Sequence, residues 1–338
     1  MENIRKIGVI ILGLFGDVLI RTPILKNLKI MFPEAELVAI VDKIGIEVLR
    51  YNPNVDRTIV FHRKRNKLKN NLLKIYDIWQ VRQEKFDLLV NVYDGGSTPI
   101  ITRLSGAPHR LGITKRSRKT YTMIQPILRQ RHEKHHIGFN FLKVLYPLGK
   151  PIDFTTKPIF IIPQVISQTI QKRFEFIDFQ NTYLINFGSG GIEKIMDFQK
   201  YFQLTLYLYE HYKFIPAIIK NPGQEYLQEN FIKKFLEKTD IPYKTLPLLT
   251  LHELGALMQL VRFFVTPDTG LLHIAIALDI KTLAIFTYTN PKLVDPETDN
   301  FVACFEPDFS NVQDSLYFGT KEIDINYLYS RVDKLLHS

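Results

Sequence analysis

One cysteine, Cys304, stands in a chain of 338 residues. It leaves no partner for an intrachain disulfide and suits a reducing, cytoplasmic compartment. Its Val-Ala-Cys-Phe context reads as a buried strand, so a packed thiol is expected there and not a nucleophile. No apolar run is long enough to span a bilayer, and no signal peptide is expected. The stretch from Ile7 to Phe15 is short and runs directly into Gly16-Asp17, as a buried strand does. The Gly-x-Gly-x-x-Gly fingerprint is absent, which disfavours a sugar-nucleotide dehydrogenase or epimerase, and the Walker pattern of NTPases is absent too. Low-complexity tracts and short repeats are missing. So are the interleaved aromatic and basic residues of single-strand platforms, which leaves a non-enzymatic nucleotide- or RNA-binding protein as a weaker alternative, and no nucleic-acid partner is expected.

What is present is an ordinary globular composition, 46% hydrophobic and 23% charged, long enough for two domains. The net charge of +10 is unevenly placed: residues 1–150 hold 27 of the 44 basic and 12 of the 34 acidic side chains. The first half therefore carries +15 and the remainder −5. The excess concentrates in Arg63-Lys64-Arg65-Asn66-Lys67-Leu68-Lys69 and between Arg110 and His136. Such asymmetry suits an anionic partner, whether nucleic acid, a lipid headgroup or a phosphorylated glycan, although any single one of these residues suits a solvated face as well.

Short apolar runs alternate with helical segments along both halves. Strands are expected at 7–12, 36–41, 58–61 and 88–92, with helices at 22–32, 44–51 and 68–83 between them. The second half repeats the scheme, with strands at 183–187, 215–220, 262–265 and 282–286 and helices at 198–211, 224–236, 251–260 and 271–278. Strands apolar on both faces belong to parallel sheets covered by helices, so two doubly wound α/β domains are implied. The proline-bearing stretch Pro147 to Pro163 is the natural linker.

Four constellations carry chemistry. Gly13-Leu14-Phe15-Gly16-Asp17 follows the first strand, where an open α/β sheet places its ligands. A carboxylate there can take the proton of an attacking hydroxyl, or Asp17 is simply a cap or turn residue. Gly188-Ser189-Gly190-Gly191 with Lys194 follows the first strand of the second half. It offers a nest of N–H donors plus a point charge for phosphate, or else a flexible turn. Pro267-Asp268-Thr269-Gly270-Leu271-Leu272-His273 joins a strand to a helix whose start can receive a phosphate, with His273 one turn inside; the plainer reading is an N-cap and a core histidine. Asn221-Pro222-Gly223-Gln224-Glu225 is another strand-to-helix loop, where Glu225 can accept from ribose hydroxyls.

At these residues the chain resembles glycosyltransferase family 9, the lipopolysaccharide heptosyltransferases. That family carries Gly-Asp before a Thr-Pro helix start, then a Leu and a Phe-Pro. Gly16-Asp17-Val18-Leu19-Ile20-Arg21-Thr22-Pro23 with Leu28 and Phe32-Pro33 is similar to it. The family's Asp-Thr-Gly-x-x-His-x-Ala-x-Ala-Leu is matched throughout by Asp268 to Leu278. The resemblance implies a GT-B fold, two Rossmann-like domains facing across a cleft. Residues 1–160 would bind the acceptor and 161–338 the nucleotide-sugar, with the last helix able to pack back on the first domain. It implies Asp17 as general base, Ser189, Gly190 and Lys194 as the diphosphate loop, Glu225 at the ribose and Leu249 against the base. Asp268, Thr269, Gly270 and His273 would form the core of the nucleotide-sugar site. It further implies inverting transfer of heptose from ADP-heptose to a lipopolysaccharide inner core, with no cofactor and no metal, at the cytoplasmic face of the inner membrane. Arg63, Lys64, Arg65 and Arg110 are the acceptor-side candidates, facing an anionic lipid-linked glycan and making peripheral contact with the membrane. Two loops depart from the family. Its Lys-Arg-Trp-Pro stands here as Lys194-Ile195-Met196-Asp197, and its Phe-Gly-Pro-Thr-x-Pro as Phe286-Thr287-Tyr288-Thr289-Asn290-Pro291. Another sugar on the same scaffold is thus the alternative donor.

Overall fold

A computed structural model describes residues 3–62, 67–93, 95–113, 119–125, 137–155, 157–306 and 322–338. The described residues fall into two compact units, one running up to residue 160 and the other from 161 onward. Arg63, Lys64 and Arg65, and most of the Arg110-to-His136 stretch, lie outside the described residues.

In the first unit the strands are β1 (Lys6–Ile10), β2 (Glu36–Val41), β3 (Arg57–Val60), β4 (Leu88–Asn91), β5 (His109–Gly112) and β6 (Met123–Ile124). They pair in parallel in the order β3-β2-β1-β4-β5-β6. Helices α1 (Phe15–Leu19), α2 (Thr22–Met31), α3 (Lys43–Leu49), α4 (Lys67–Gln83), α5 (Thr98–Leu104) and α6 (Ile137–Leu142) connect and flank them. The second unit holds β7 (Thr182–Ile185), β8 (Ile215–Ile218), β9 (Lys244–Thr245), β10 (Phe264–Pro267), β11 (Thr282–Ile285) and β12 (Phe301–Cys304). They too are parallel, in the order β12-β11-β10-β7-β8-β9. Its helices are α7 (Gln164–Arg173), α8 (Phe198–Tyr212), α9 (Glu225–Lys234), α10 (Leu251–Met258), α11 (Gly270–Ala277) and α12 (Ile325–His337). Counted from its own first strand, each sheet follows the same doubly wound order. Its switch point lies beside that first strand, between β1 and β4 and between β7 and β10.

The central strands Leu-Leu-Val-Asn of β4 and Thr-Tyr-Leu-Ile of β7 are buried at every position, as helix cover on both faces requires. β1 ends two residues earlier than its apolar run. Ile11 and Leu12 stay buried, but beyond Ile11, whose N–H donates to the Ile40 carbonyl, the chain leaves the sheet toward Gly13. β10 lies two residues later than expected and ends on Pro267, a strand terminus where a missing N–H costs little. Helices α5 and α7 fall outside the expected scheme, because neither carries a long apolar stripe.

The linker stretch is tied down over most of its length. Buried Asn27 of α2 donates to the Asp153 carbonyl at 3.2 Å and accepts the Asp153 N–H at 2.7 Å. Thr22 accepts the N–H of Ile159 at 2.7 Å. The Thr-Pro helix start thus anchors the chain that leaves the first unit. Helix α12 packs on β12 and α8 and buries Leu328, Val332 and Leu335 in the second unit's own core, beside Val302 and Cys304. Burial pushes the Cys304 thiol up to about 12, the behaviour of a packed and inert group.

Candidate functional site

In the second unit the loops that leave β7, β8, β10 and β11 converge at the carboxyl edge of the sheet. The organiser is Asn186, fully buried just after β7. Its Nδ2 donates to the Gly188 carbonyl at 3.1 Å and to Thr266 Oγ1 at 3.0 Å. Its Oδ1 accepts the Gly188 N–H at 2.9 Å and Asn221 Nδ2 at 2.8 Å. One side chain therefore joins three loops. Gly188 is obligatory, because a Cβ there would lie 2.3 Å from the Asn221 side chain. Gln224 adds a second clasp, accepting the Ser189 N–H at 3.1 Å and donating to the Ser189 carbonyl at 2.9 Å. Ser189 Oγ accepts the Gly191 N–H at 3.3 Å, which leaves Gly190 exposed at the tip.

Lys194 ends the short 3-10 turn Ile192–Lys194 after that loop, and its Nζ lies 2.6 Å from Asp268 Oδ2. Thr289, from the loop after β11, donates to the same oxygen at 2.6 Å. Burial of Asp268 would raise its carboxyl pKa. The charges of Lys194 and then His273, with hydrogen bonds from Lys194 and Thr289, outweigh burial and hold it below the ordinary carboxylate value. Thr269 is the N-cap of α11 and Gly270 its first residue, so the half-buried N–H end of the helix begins beside this ion pair. Glu225 opens α9; its own backbone N–H and that of Gly223, the latter at 3.1 Å, keep its carboxyl low. Leu249 is half-buried immediately before Thr250, the N-cap of α10.

The departures from the family pattern have local reasons. Asp197 caps α8 by accepting the Gln199 N–H at 2.7 Å, while Met196 is buried in the core. Thr287 donates to the Glu193 carbonyl at 2.8 Å. Together with the Thr289–Asp268 bond this fastens the loop after β11 to the lysine loop. Asn186 and Thr266 carry no motif of their own, and the roles of Gln224 and Thr289 within their loops emerge only from long-range contact.

In the first unit Asp17 is the third residue of α1. Its Oδ2 accepts the Leu14 N–H at 3.0 Å, so it does cap the helix. Its side chain is nonetheless 45% exposed, with Oδ1 3.6 Å from Arg21 Nη1. Gly13 sits at φ +137, and a Cβ there would lie 2.6 Å from Asp17 Cβ. Arg21, nearly buried, lies over the Phe141 ring at 4.3 Å and donates to the Asp17 carbonyl at 2.6 Å. At the switch point of the same sheet a cavity of about 330 Å³ opens between the ends of β1, β3 and β4. Its walls include Leu12, His62, Lys74, Tyr93 and Ser97. Buried Asp77 of α4 accepts the His62 N–H at 3.1 Å and lies 2.8 Å from His62 Nδ1; burial raises its carboxyl pKa despite His62. Arg110 braces β5: its Nε donates to the Thr120 carbonyl at 2.7 Å and its Nη1 to the Ala107 carbonyl at 2.5 Å.

Two parallel doubly wound sheets of identical winding, the second with a glycine-bearing loop and a lysine at its switch point, are the GT-B fold; the N–H groups of Gly188, Ser189 and Gly191 are taken up within that loop and its neighbours, so the expected nest of free donors is reduced to its Gly190 tip. The comparisons with known proteins narrow this. Residues 78–315 match glycosyltransferase family 9 (heptosyltransferase), and the chain belongs to that family. It is 23% identical to lipopolysaccharide heptosyltransferase 3 of Escherichia coli, over 96% of this chain and 97% of that protein. Among solved structures it is similar to a family 9 glycosyltransferase of Veillonella parvula, at TM-score 0.79 and 20% identity, covering 98% of this chain and 97% of the other. It is also similar to the ADP-heptose lipopolysaccharide heptosyltransferase II of E. coli, at TM-score 0.76 and 15% identity, covering 98% of each chain.

Proposed function

We propose that this enzyme transfers heptose from ADP-heptose, with inversion, to an anionic inner-core lipopolysaccharide acceptor. The observation that carries the reading is the Lys194–Asp268–Thr289 cluster at the start of α11, beside the Gly188–Gly191 loop, whose tip is Gly190. Lys194 and the α11 N-terminus offset the charge of a diphosphate, so no metal is part of the proposal. Ser189 and Gly190 face the phosphates, Glu225 the ribose and Leu249 the adenine. Asp268, Thr269, Gly270 and His273 form the core of the nucleotide-sugar site.

The acceptor hydroxyl oxygen attacks the anomeric carbon on the side opposite the diphosphate. As the new C–O bond forms, the old one breaks and ADP leaves with the electron pair. The hydroxyl proton passes to the Asp17 carboxylate, whose exposure and fixed rotamer suit a base. A single displacement inverts the anomeric configuration. The acceptor is read as lipid-linked at the cytoplasmic face of the inner membrane. The first unit's cavity receives an acceptor sugar, and the charges of Arg63, Lys64 and Arg65 attract an anionic acceptor. Arg110, already bonded to two carbonyls, contributes charge more than hydrogen bonds.

Asp17→Asn tests the assignment. Transfer, followed as ADP release, should fall by roughly a hundredfold or more, while calorimetric ADP affinity stays at the wild-type value. Turnover within a few-fold of wild type would remove Asp17 from the role of base.

A further inference from the structure

Helices α4 and α5 present an apolar face that the described residues of the first unit do not cover. On α4, Ile75, Tyr76 and Trp79 are 64%, 45% and 55% exposed, and on α5, Ile100 and Leu104 are 57% and 42% exposed. Ile75 and Trp79 are four apart, as are Ile100 and Leu104, so each pair lies along one helix face. The two rows run side by side. Lys74 and Ile100 line the same cavity. Eight residues further along α4, Arg82 Nη1 donates to the Leu104 carbonyl at 3.2 Å. Trp79 sits between these two points and stacks on Tyr76 with ring centroids 6.0 Å apart. Tyr76 in turn meets the ring of His62, a residue of the cavity wall. The apolar face therefore adjoins the mouth of the cavity.

Its charge is of one sign. Among the described side chains, α4 carries Lys74 and Arg82, and α5 carries Arg103. The one carboxylate on either helix, Asp77, is buried against His62. A second copy docked on this face by two-fold symmetry would set cations against cations. Aliphatic side chains dominate over aromatic ones, which suits acyl chains better than bases.

We propose that the α4–α5 face docks on an anionic lipid surface. Trp79, Tyr76, Ile75 and Leu104 enter the headgroup region and the lysines and arginines around them meet the phosphates. This rests on the reading that the acceptor is lipid-linked, and it places the cavity mouth at the membrane surface where such an acceptor emerges.

Trp79 is the sole tryptophan of the chain and so reports on its own docking. Full-length protein is mixed with vesicles of phosphatidylglycerol and phosphatidylcholine, and with vesicles of phosphatidylcholine alone. The expected result is a blue shift of Trp79 emission and co-flotation with the anionic vesicles, weaker on neutral ones and weakened by salt. The Ile75→Ser/Leu104→Ser variant should keep the ADP-induced rise in melting temperature, showing that it folds. Its partitioning to anionic vesicles should drop by roughly tenfold or more. Three outcomes overturn the proposal: no shift with anionic vesicles, equal partitioning of variant and wild type, or a Trp79 shift driven by protein concentration or by an RNA oligonucleotide without lipid. Transfer from ADP-heptose to a deacylated inner-core oligosaccharide is measured in parallel. Failure of that transfer in the wild type counts against the functional reading, whereas normal transfer without vesicle binding counts against the docking surface alone.

Discussion

Replacing Lys194 by Met keeps most of the side-chain stem and deletes one charge. In the protein that ammonium lies 2.6 Å from a carboxylate whose side chain is 8% exposed, while the lysine itself is 26% exposed. Removing it leaves Asp268 with Thr289 and His273 as its remaining support. Loss of a charge-assisted hydrogen bond to a buried group costs about 1.5–3 kcal/mol, and the partly exposed lysine puts this pair near the middle, about 2 kcal/mol. For a unit of this size that is a fall of about 4–8 °C in melting midpoint. The pH dependence has a definite sign. Asp268 titrates lower in the folded protein than in the unfolded chain. Its contribution is therefore fully present above about pH 4 and is lost as pH falls through the lowered folded value. In Lys194→Met the largest cause of that lowering is gone, so Asp268 contributes less to acid destabilisation and the variant loses stability less steeply with acid. The gap between variant and wild type should be widest above about pH 4 and close below it. The substitution also removes the proposed phosphate partner, so ADP affinity should fall by roughly tenfold to a hundredfold while adenosine affinity stays level. Titration calorimetry with both ligands and melting curves across pH measure these quantities. Equal losses for ADP and adenosine, or unchanged ADP binding, would refute the argument that Lys194 meets the diphosphate.

Three further outcomes are expected. Gly13→Ala puts a Cβ 2.6 Å from Asp17 Cβ at a positive φ. It should lower kcat by about a hundredfold through misplacement of the base, with ADP binding intact by calorimetry. Asn186→Ala removes the shared partner of Gly188, Thr266 and Asn221. It should cost about 2–4 kcal/mol in denaturant unfolding and weaken ADP binding through the loosened loops. Reversing Arg63, Lys64 and Arg65 to Glu should raise KM for a lipid-linked acceptor, less so at high salt, and leave KM for the donor in place.

Much of the fold was legible because parallel sheets leave a strong one-dimensional trace. Continuous apolar runs such as Leu37–Val41 and Leu283–Ile285 have to be covered on both faces, and the helices that cover them show in the intervening pattern. Helix α5 was not legible, since Ile100 and Leu104 face outward and the helix lacks the apolar stripe that marks a covered one. The register of β10 was also misplaced. Phe263 is as buried as the strand itself, and hydrophobicity alone cannot tell a paired residue from a buried one beside it. The motif residues Asp268, Thr269 and Gly270 were found because a strand-to-helix turn with a helix start has a local signature. Asn186 was not, because its side-chain partners Thr266 and Asn221 lie 80 and 35 positions away.

By itself the sequence determined two α/β halves, the positions of the glycine-bearing loops, the asymmetry of charge and the family. All of these are carried by residues close together along the chain. Only the tertiary structure decided that both sheets wind in the same order. It alone set Lys194 against an aspartate 74 positions away, fastened the loop after β11 to both of their loops, and tied the stretch before residue 160 to α2. Those are pairings at long separation. Their geometry follows from strand order and crossover connections, which bring the carboxyl ends of distant strands to one edge, and no local pattern encodes that edge.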